Sequence, residues 1–192
     1  MLDLKQLIDE NRRHREFKPG IKIPRERLEA WILNASHCPS ARNLQAIKYM
    51  IIDSNEGIAE LLPLTYWAGS LGIKLPPDGH EPTAFIVMCH DHTIAPLKSI
   101  FYMDIGICAQ TIMLSATNEG FGGCMIGSAS ADAVRELLSL PENLEPALIL
   151  ALGAPEEKVV LTDTSKGVKY YRDENNVHYV PKRSLDEIII KR

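Results

Sequence analysis

The chain has 192 residues, 45% of them hydrophobic and 24% charged, with a formal net charge of −4. A chain of this size makes one domain or protomer that buries roughly 70% of its unfolded surface. Its acidic balance excludes a general nucleic-acid binder, whose footprint is basic.

Leu4, Leu7 and Ile8 predict one face of a first helix. It leads into Asn11-Arg12-Arg13-His14-Arg15-Glu16-Phe17, where three guanidinium groups occupy four positions. Such crowding is usually relieved by a multiply charged anion, because the planar fork of Arg matches phosphate oxygens. A solvated helix end is the plainer alternative. A second helix is predicted from near Pro24, with Leu28, Trp31, Ile32 and Ala35 at helical spacing. His37-Cys38 falls at its end, and Cys38-Pro39-Ser40-Ala41-Arg42-Asn43 is turn-rich.

Residues 47–53 predict a strand, and residues 83–89 a short, continuously apolar, buried one. Between them, Gly69, Gly72, Pro76, Pro77, Gly79 and Pro82 mark an irregular loop, expected to be the most mobile segment. Residues 104–119 predict a helix apolar on most sides, ended by Gly120. Burial on most sides follows, with a second subunit supplying the cover. A strand over 122–126, a helix capped by Ser130 and a strand over 146–152 complete the regular part. Residues 156–181 are polar, without an apolar face, yet carry Tyr170, Tyr171 and Tyr179. They are expected to wrap around another surface rather than fold alone. Ser184 with Glu187 predicts a capping box for a last short helix.

No apolar run reaches the roughly 18 residues of a transmembrane helix. The opening Met1-Leu2-Asp3-Leu4-Lys5 lacks the charged-then-apolar pattern of a signal peptide. The expectation is a cytoplasmic protein without membrane or nucleic-acid partners. Cys38, Cys89, Cys108 and Cys124 form no CxxC pair and are expected to be reduced and structural. His90 and His92 invite a metal, but no second ligand cluster completes a site, so no metal ligand is assigned.

Four separated stretches resemble, in order, the nitroreductase-like flavoproteins. Residues 11–17 resemble their N-terminal arginine motif, and Pro39-Ser40-Ala41-Arg42-Asn43-Leu44-Gln45 their Pro-Ser-Ser-x-Asn-x-Gln loop. Asp104-Ile105-Gly106 through Ala116, then Gly120-Phe121-Gly122-Gly123-Cys124-Met125-Ile126-Gly127, resemble their central helix and the Gly-rich strand after it. Lys182-Arg183-Ser184-Leu185 resembles the basic pair of their C-terminal arm. The chain departs from the pattern at Ala41, where a second serine is common, at Arg13, and at Ala46-Ile47, where Pro-Trp is frequent.

The resemblance implies an α+β fold: a central, mostly antiparallel sheet flanked by helices, in an intertwined homodimer. One domain would span 1–192, with 155–192 as a C-terminal arm. It also implies bound FMN, with two active sites at the subunit interface. Arg12, Arg13, Arg15, Lys182 and Arg183 would hold the phosphate. Pro39, Ser40, Ala41, Asn43 and Gln45 would meet the flavin from the partner subunit, and Gly123, Cys124, Met125, Ile126 and Gly127 would pass beside it. NAD(P)H would be the co-substrate and a nitroaromatic, quinone or related conjugated molecule the acceptor, by a ping-pong mechanism. No side chain need act as an acid, so no catalytic residue is named. The alternative is an FMN-storage protein of the same fold without reductase activity. Residues 120–125 do not match a dinucleotide fingerprint, since Met125 stands where Gly or Ala is required. Tyr66-Trp67 could place an aromatic ring by the flavin, or Trp67 could be an ordinary core residue.

Overall fold

The structure, a computed structural model, describes residues 3–190. Two compact units divide the chain after Pro155.

The first unit is built on a four-stranded antiparallel sheet in the order β1-β2-β4-β3: β1 (Ile47–Ile52), β2 (Ala84–Asp91), β3 (Gly122–Ile126) and β4 (Leu144–Gly153). Strand alternation sorts its side chains into two cores. Ala84, Ile86, Met88, Leu150 and Leu152 face α2 (Arg25–Ser36) and α4 (Ser99–Asn118). Phe85, Val87, Cys89, Ile149 and Ala151 face the side of α3 (Asn55–Leu61) and α5 (Ala131–Leu137). β2 is buried along its whole length, which explains why its sequence is continuously apolar instead of alternating. The β2–β4 register slips between Met88 and Cys89, a bulge that leaves Ala147 between Pro146 and Leu148 without a partner.

Two helices start as their caps require. The Ser54 hydroxyl accepts from Gly57 N for α3, and the Ser130 hydroxyl from Ala133 N for α5. The expected second helix is α2, with Leu28, Trp31 and Ala35 buried and Pro24 one position before its start.

Two sequence expectations are corrected. The central helix begins at Ser99, five residues before the expected 104, because Ile100 to Met103 continue the helix behind Lys98, which provides no side-chain cap. Within one protomer Ile105, Cys108, Ala109, Ile112 and Ala116 pack inward, and Ile100, Tyr102, Met103 and Ile107 are exposed on the side that the expected second subunit would cover. By length and composition α4 could cross a membrane, although half of it packs inside the protein. The apolar side of α1 (Leu4–Glu10) buries none of its residues.

The second correction concerns the polar tail. Residues 156–190 contain a three-stranded sheet of their own, β5 (Val159–Thr162) parallel to β7 (His178–Pro181), with β6 (Tyr171–Arg172) antiparallel to β7. Its stabilisation is polar and aromatic. Tyr171 stacks on Tyr179 at 5.1 Å, and Tyr170 meets His178 at 5.4 Å. Asp173 accepts from Val177 N and the Tyr179 hydroxyl, closing the turn between β6 and β7. The buried Arg172–Glu157 ion pair ties β6 to the start of the unit's chain. The expected capping box at Ser184 and Glu187 opens α6 (Leu185–Ile188).

Candidate functional site

The arginine motif lies along the free edge of β3. The backbone of His14 donates to Gly123 O at 2.9 Å, with Arg13 bridged to Gly123. Farther on, Phe17 N bonds to His80 O and Lys18 N to Ala154 O. Phe17 is fully buried and anchors the segment. Burying such a ring stabilises the fold by about 2–3 kcal/mol. Asn11 pins the other end to α4: its amide donates to Thr117 Oγ1 at 2.8 Å and Met113 O at 3.2 Å, and Gln110 donates to its oxygen at 2.9 Å.

The three arginines therefore separate. Arg15 is only 4% exposed and has interaction partners inside the protein. Arg13 is exposed. Arg12 is half-buried, its terminal nitrogen donates to Ile8 O, and its Nε has no hydrogen-bond partner among the described residues. Burial lowers the Arg12 pKa, and the nearby Asp9 carboxylate partly offsets this. A half-buried cation beside an exposed second cation suits an anion with several oxygens.

The glycines of the following strand have an internal reason. A Cβ on Gly123 would stand 1.9 Å from Ala151 O, and one on Gly122 would stand 2.8 Å from the His14 ring. The motif and the sheet thus need glycine in order to approach each other. Along β3, Cys124 and Ile126 turn toward the α3/α5 core and Met125 toward the α2/α4 core, leaving Gly127 exposed beyond the strand.

The loop after α2 carries the least ordinary backbone in the molecule. Arg42, Asn43 and Gln45 all have positive φ, at 54°, 56° and 53°. None is glycine, and each such residue costs of order 1–3 kcal/mol unless its surroundings enforce it. The enforcing contacts are identifiable. Buried Asp104, the only charged side chain of α4, accepts from Ala41 N at 2.9 Å. The Ser40 hydroxyl accepts from Gln45 N at 3.2 Å, and Asn43 N bonds back to Ser40 O. The exposed amides of Asn43 and Gln45 touch each other at 3.3 Å. Beside Arg42, a cavity of about 150 Å³ is floored by Leu44, Pro96, Ile100 and Phe101, with Lys98 at its rim.

Sequence reasoning missed Asn11 as a tether and Asp104 as the loop's anchor. The lone carboxylate in an otherwise uncharged helix was the available signal for Asp104. In the second unit, Lys182 and Arg183 are exposed; Lys182 N bonds to Thr162 O, and Arg183 pairs with Glu187 at 3.4 Å. The Trp67 indole donates to Thr65 Oγ1 at 2.7 Å and packs at the edge of the α3/α5 core, an ordinary core environment. His90 bonds to Ala95 O and His92 to Glu145, both at 2.7 Å.

The family model described as Nitroreductase family matches residues 79–154, from before β2 to the end of β4. A protein of Methanothermobacter thermautotrophicus, provisionally named an NADH dehydrogenase/NAD(P)H nitroreductase, is 27% identical over 161 residues, covering 81% of this chain and 79% of its own. The solved nitroreductase family protein from Streptococcus pneumoniae superposes with a TM-score of 0.76 at 17% identity, covering 99% of this chain and 100% of that one. A provisionally assigned nitroreductase from Exiguobacterium sibiricum, solved in complex with FMN, gives 0.68 at 19% identity over 82% and 90%. The fold is that of the nitroreductases, an α+β class. The family-model match is confined to residues 79–154, and the likeness to the relative and the solved structures extends over most of the chain.

Proposed function

We propose that this protein is an FMN-dependent oxidoreductase that works as a homodimer with NAD(P)H as co-substrate. When bound, FMN would supply the hydride chemistry, accepting from NAD(P)H and delivering to a nitroaromatic, quinone or similar conjugated acceptor in turn. The chain's own residues have the properties such a cofactor needs. Arg12 and Arg13 offer charge-assisted donors for its phosphate, with the solvent-facing Lys182 and Arg183 as the second cationic pair. Buried Arg15 supports the motif from within. Ser40, Asn43 and Gln45 present alternating donors and acceptors for the ring edge, on a backbone held strained by Asp104. Pro39 and Ala41 frame that loop, and the segment from Gly123 through Cys124, Met125 and Ile126 to Gly127 would pass beside the ring with its backbone, since Cys124 and Ile126 face the core.

The observation that carries the dimeric reading is where these groups meet α4. The loop reaches Asp104, and Cys38 just before it reaches Thr111. Asn11, at the head of the arginine motif, reaches Gln110, Met113 and Thr117. At 3.6 residues per turn these two sets lie roughly 140° apart around the helix. A cofactor held by both motifs therefore draws the loop from a second copy. The exposed apolar side chains of α4, Met103 foremost at 66%, supply a surface for that copy.

A visible spectrum of the protein titrated with FMN, followed by anaerobic NAD(P)H, tests this reading. Binding should perturb the flavin bands, and the reductant should bleach them within the time of mixing. No perturbation overturns the proposal; perturbation without bleaching favours storage over reduction.

A further inference from the structure

The four cysteines divide two and two between the faces of the sheet. Cys89 and Cys124 face the α3/α5 core, opposite Pro146 and Ala151 respectively on β4, so they are offset along the sheet and do not meet. Cys38 and Cys108 face the α2/α4 core and line the same cavity of about 130 Å³, together with Ser40, Gln45, Tyr49 and Asp104.

Their proximity rests on shared partners. The Cys108 thiol donates to Ala35 O at 3.6 Å, and the Cys38 backbone amide donates to that same oxygen at 3.1 Å. The Cys108 sulfur is thus within about 7 Å of the Cys38 amide nitrogen. The Cys38 sulfur lies 3.0 Å from Thr111 Oγ1. Thr111 spends its own proton on Ile107 O, so the Cys38 thiol is the donor. Thr111 is three residues beyond Cys108, hence its neighbour on one helix face, with Cβ atoms about 5–6 Å apart. Tyr49 lines the cavity beside both cysteines. Sulfurs placed this way fall within the reach of a disulfide, whose Cα atoms stand up to about 7 Å apart.

The two thiols differ in access. Cys38 is half-buried at the end of α2, whereas Cys108 is buried. We propose that Cys38 and Cys108 form a redox pair: a hydroperoxide oxidises Cys38, and Cys108 resolves it to a disulfide. In the first step the Cys38 sulfur attacks the distal peroxide oxygen, the O–O bond breaks, and water or an alcohol leaves with the thiol proton. In the second, the Cys108 sulfur attacks the sulfenic sulfur and expels hydroxide, which takes the Cys108 proton and leaves as water. One peroxide is reduced by two electrons, and two thiols become one S–S bond. Burial raises the Cys108 thiol above its ordinary range, which leaves the first attack to Cys38. The bond would fasten the root of the strained 40–45 loop to α4. This inference stands whether or not the protein binds FMN.

Treatment of the full-length protein with hydrogen peroxide, then alkylation of free thiols and non-reducing peptide mapping by mass spectrometry, provides the test. The expected result is an intact mass lower by about 2 Da, reversed by dithiothreitol, with the Cys38 and Cys108 peptides joined and Cys89 and Cys124 still alkylated. C108S should leave Cys38 as an accumulating sulfenic acid, trappable by dimedone. Wild-type protein in which Cys38 proceeds to sulfinic acid while Cys108 remains alkylated would overturn the proposal. So would a bond joining two copies of Cys38.

Discussion

Arg12 and Arg13 sit five and four positions before Phe17, yet they differ from Arg15 in the property that matters for a ligand: they reach solvent and Arg15 does not. A charge-assisted hydrogen bond contributes about 1.5–3 kcal/mol. Replacing Arg12 or Arg13 by Ala should therefore weaken FMN binding roughly 10- to 100-fold, read by quenching of flavin fluorescence. Arg15→Ala should instead lower the unfolding midpoint, because it empties a buried position. Asp91 provides a prediction in pH. Hydrogen bonds from the Thr93 hydroxyl, Asn143 and Thr93 N lower its pKa to about 2. A depressed carboxylate stabilises the fold fully above its unfolded pKa of about 4, and that contribution disappears as pH falls through the folded value. The stability difference between wild type and D91N should hold constant above about pH 4 and shrink between about pH 4 and pH 2, measured by urea denaturation at each pH.

At the scale of elements, the 40–45 loop is the informative one. Its three left-handed residues are held against their preference by Asp104 and Ser40. Glycine adopts that backbone without cost, so Arg42→Gly should stabilise the protein by up to about 1 kcal/mol in chemical denaturation while loosening the loop. A matching loss of FMN affinity would identify the strain as preorganisation of a binding surface. This conformation was not legible in the sequence, because Arg, Asn and Gln give no sign of positive φ where glycine would. The residue types of the loop and the arginine motif were legible, as were α2, β3 and the Ser130 cap, since periodicity and capping chemistry are local. What was not legible depended on distant partners. Gly123 is glycine because of Ala151 O, twenty-eight positions away. The small sheet of the second unit escaped notice because it is held by stacked tyrosines and Asp173 rather than by an apolar face. The true start of α4 was hidden by the absence of a capping side chain at Lys98.

For the whole molecule, the proposed site draws on a second copy. The exposed Met103 and Ile107 lie on the outer side of α4, away from the core formed by Ile105, Ala109 and Ile112. The double substitution Met103→Asp/Ile107→Asp should leave the fold intact by circular dichroism, shift sedimentation to the monomer and abolish FMN binding with it. A site shared between two chains, as proposed, would have a more direct consequence. A variant lacking the phosphate donors (R12A/R13A) and one lacking the loop amides (N43A/Q45A) should each be inactive alone. In a mixed dimer, one site inherits both defects and the other inherits none. Unfolding and refolding the two variants together should restore about a quarter of the wild-type FMN-binding capacity and NAD(P)H oxidation, since about half the dimers are mixed and each carries one intact site. Mixed dimers that form, as shown by differently tagged copies, yet bind no FMN would contradict the shared site.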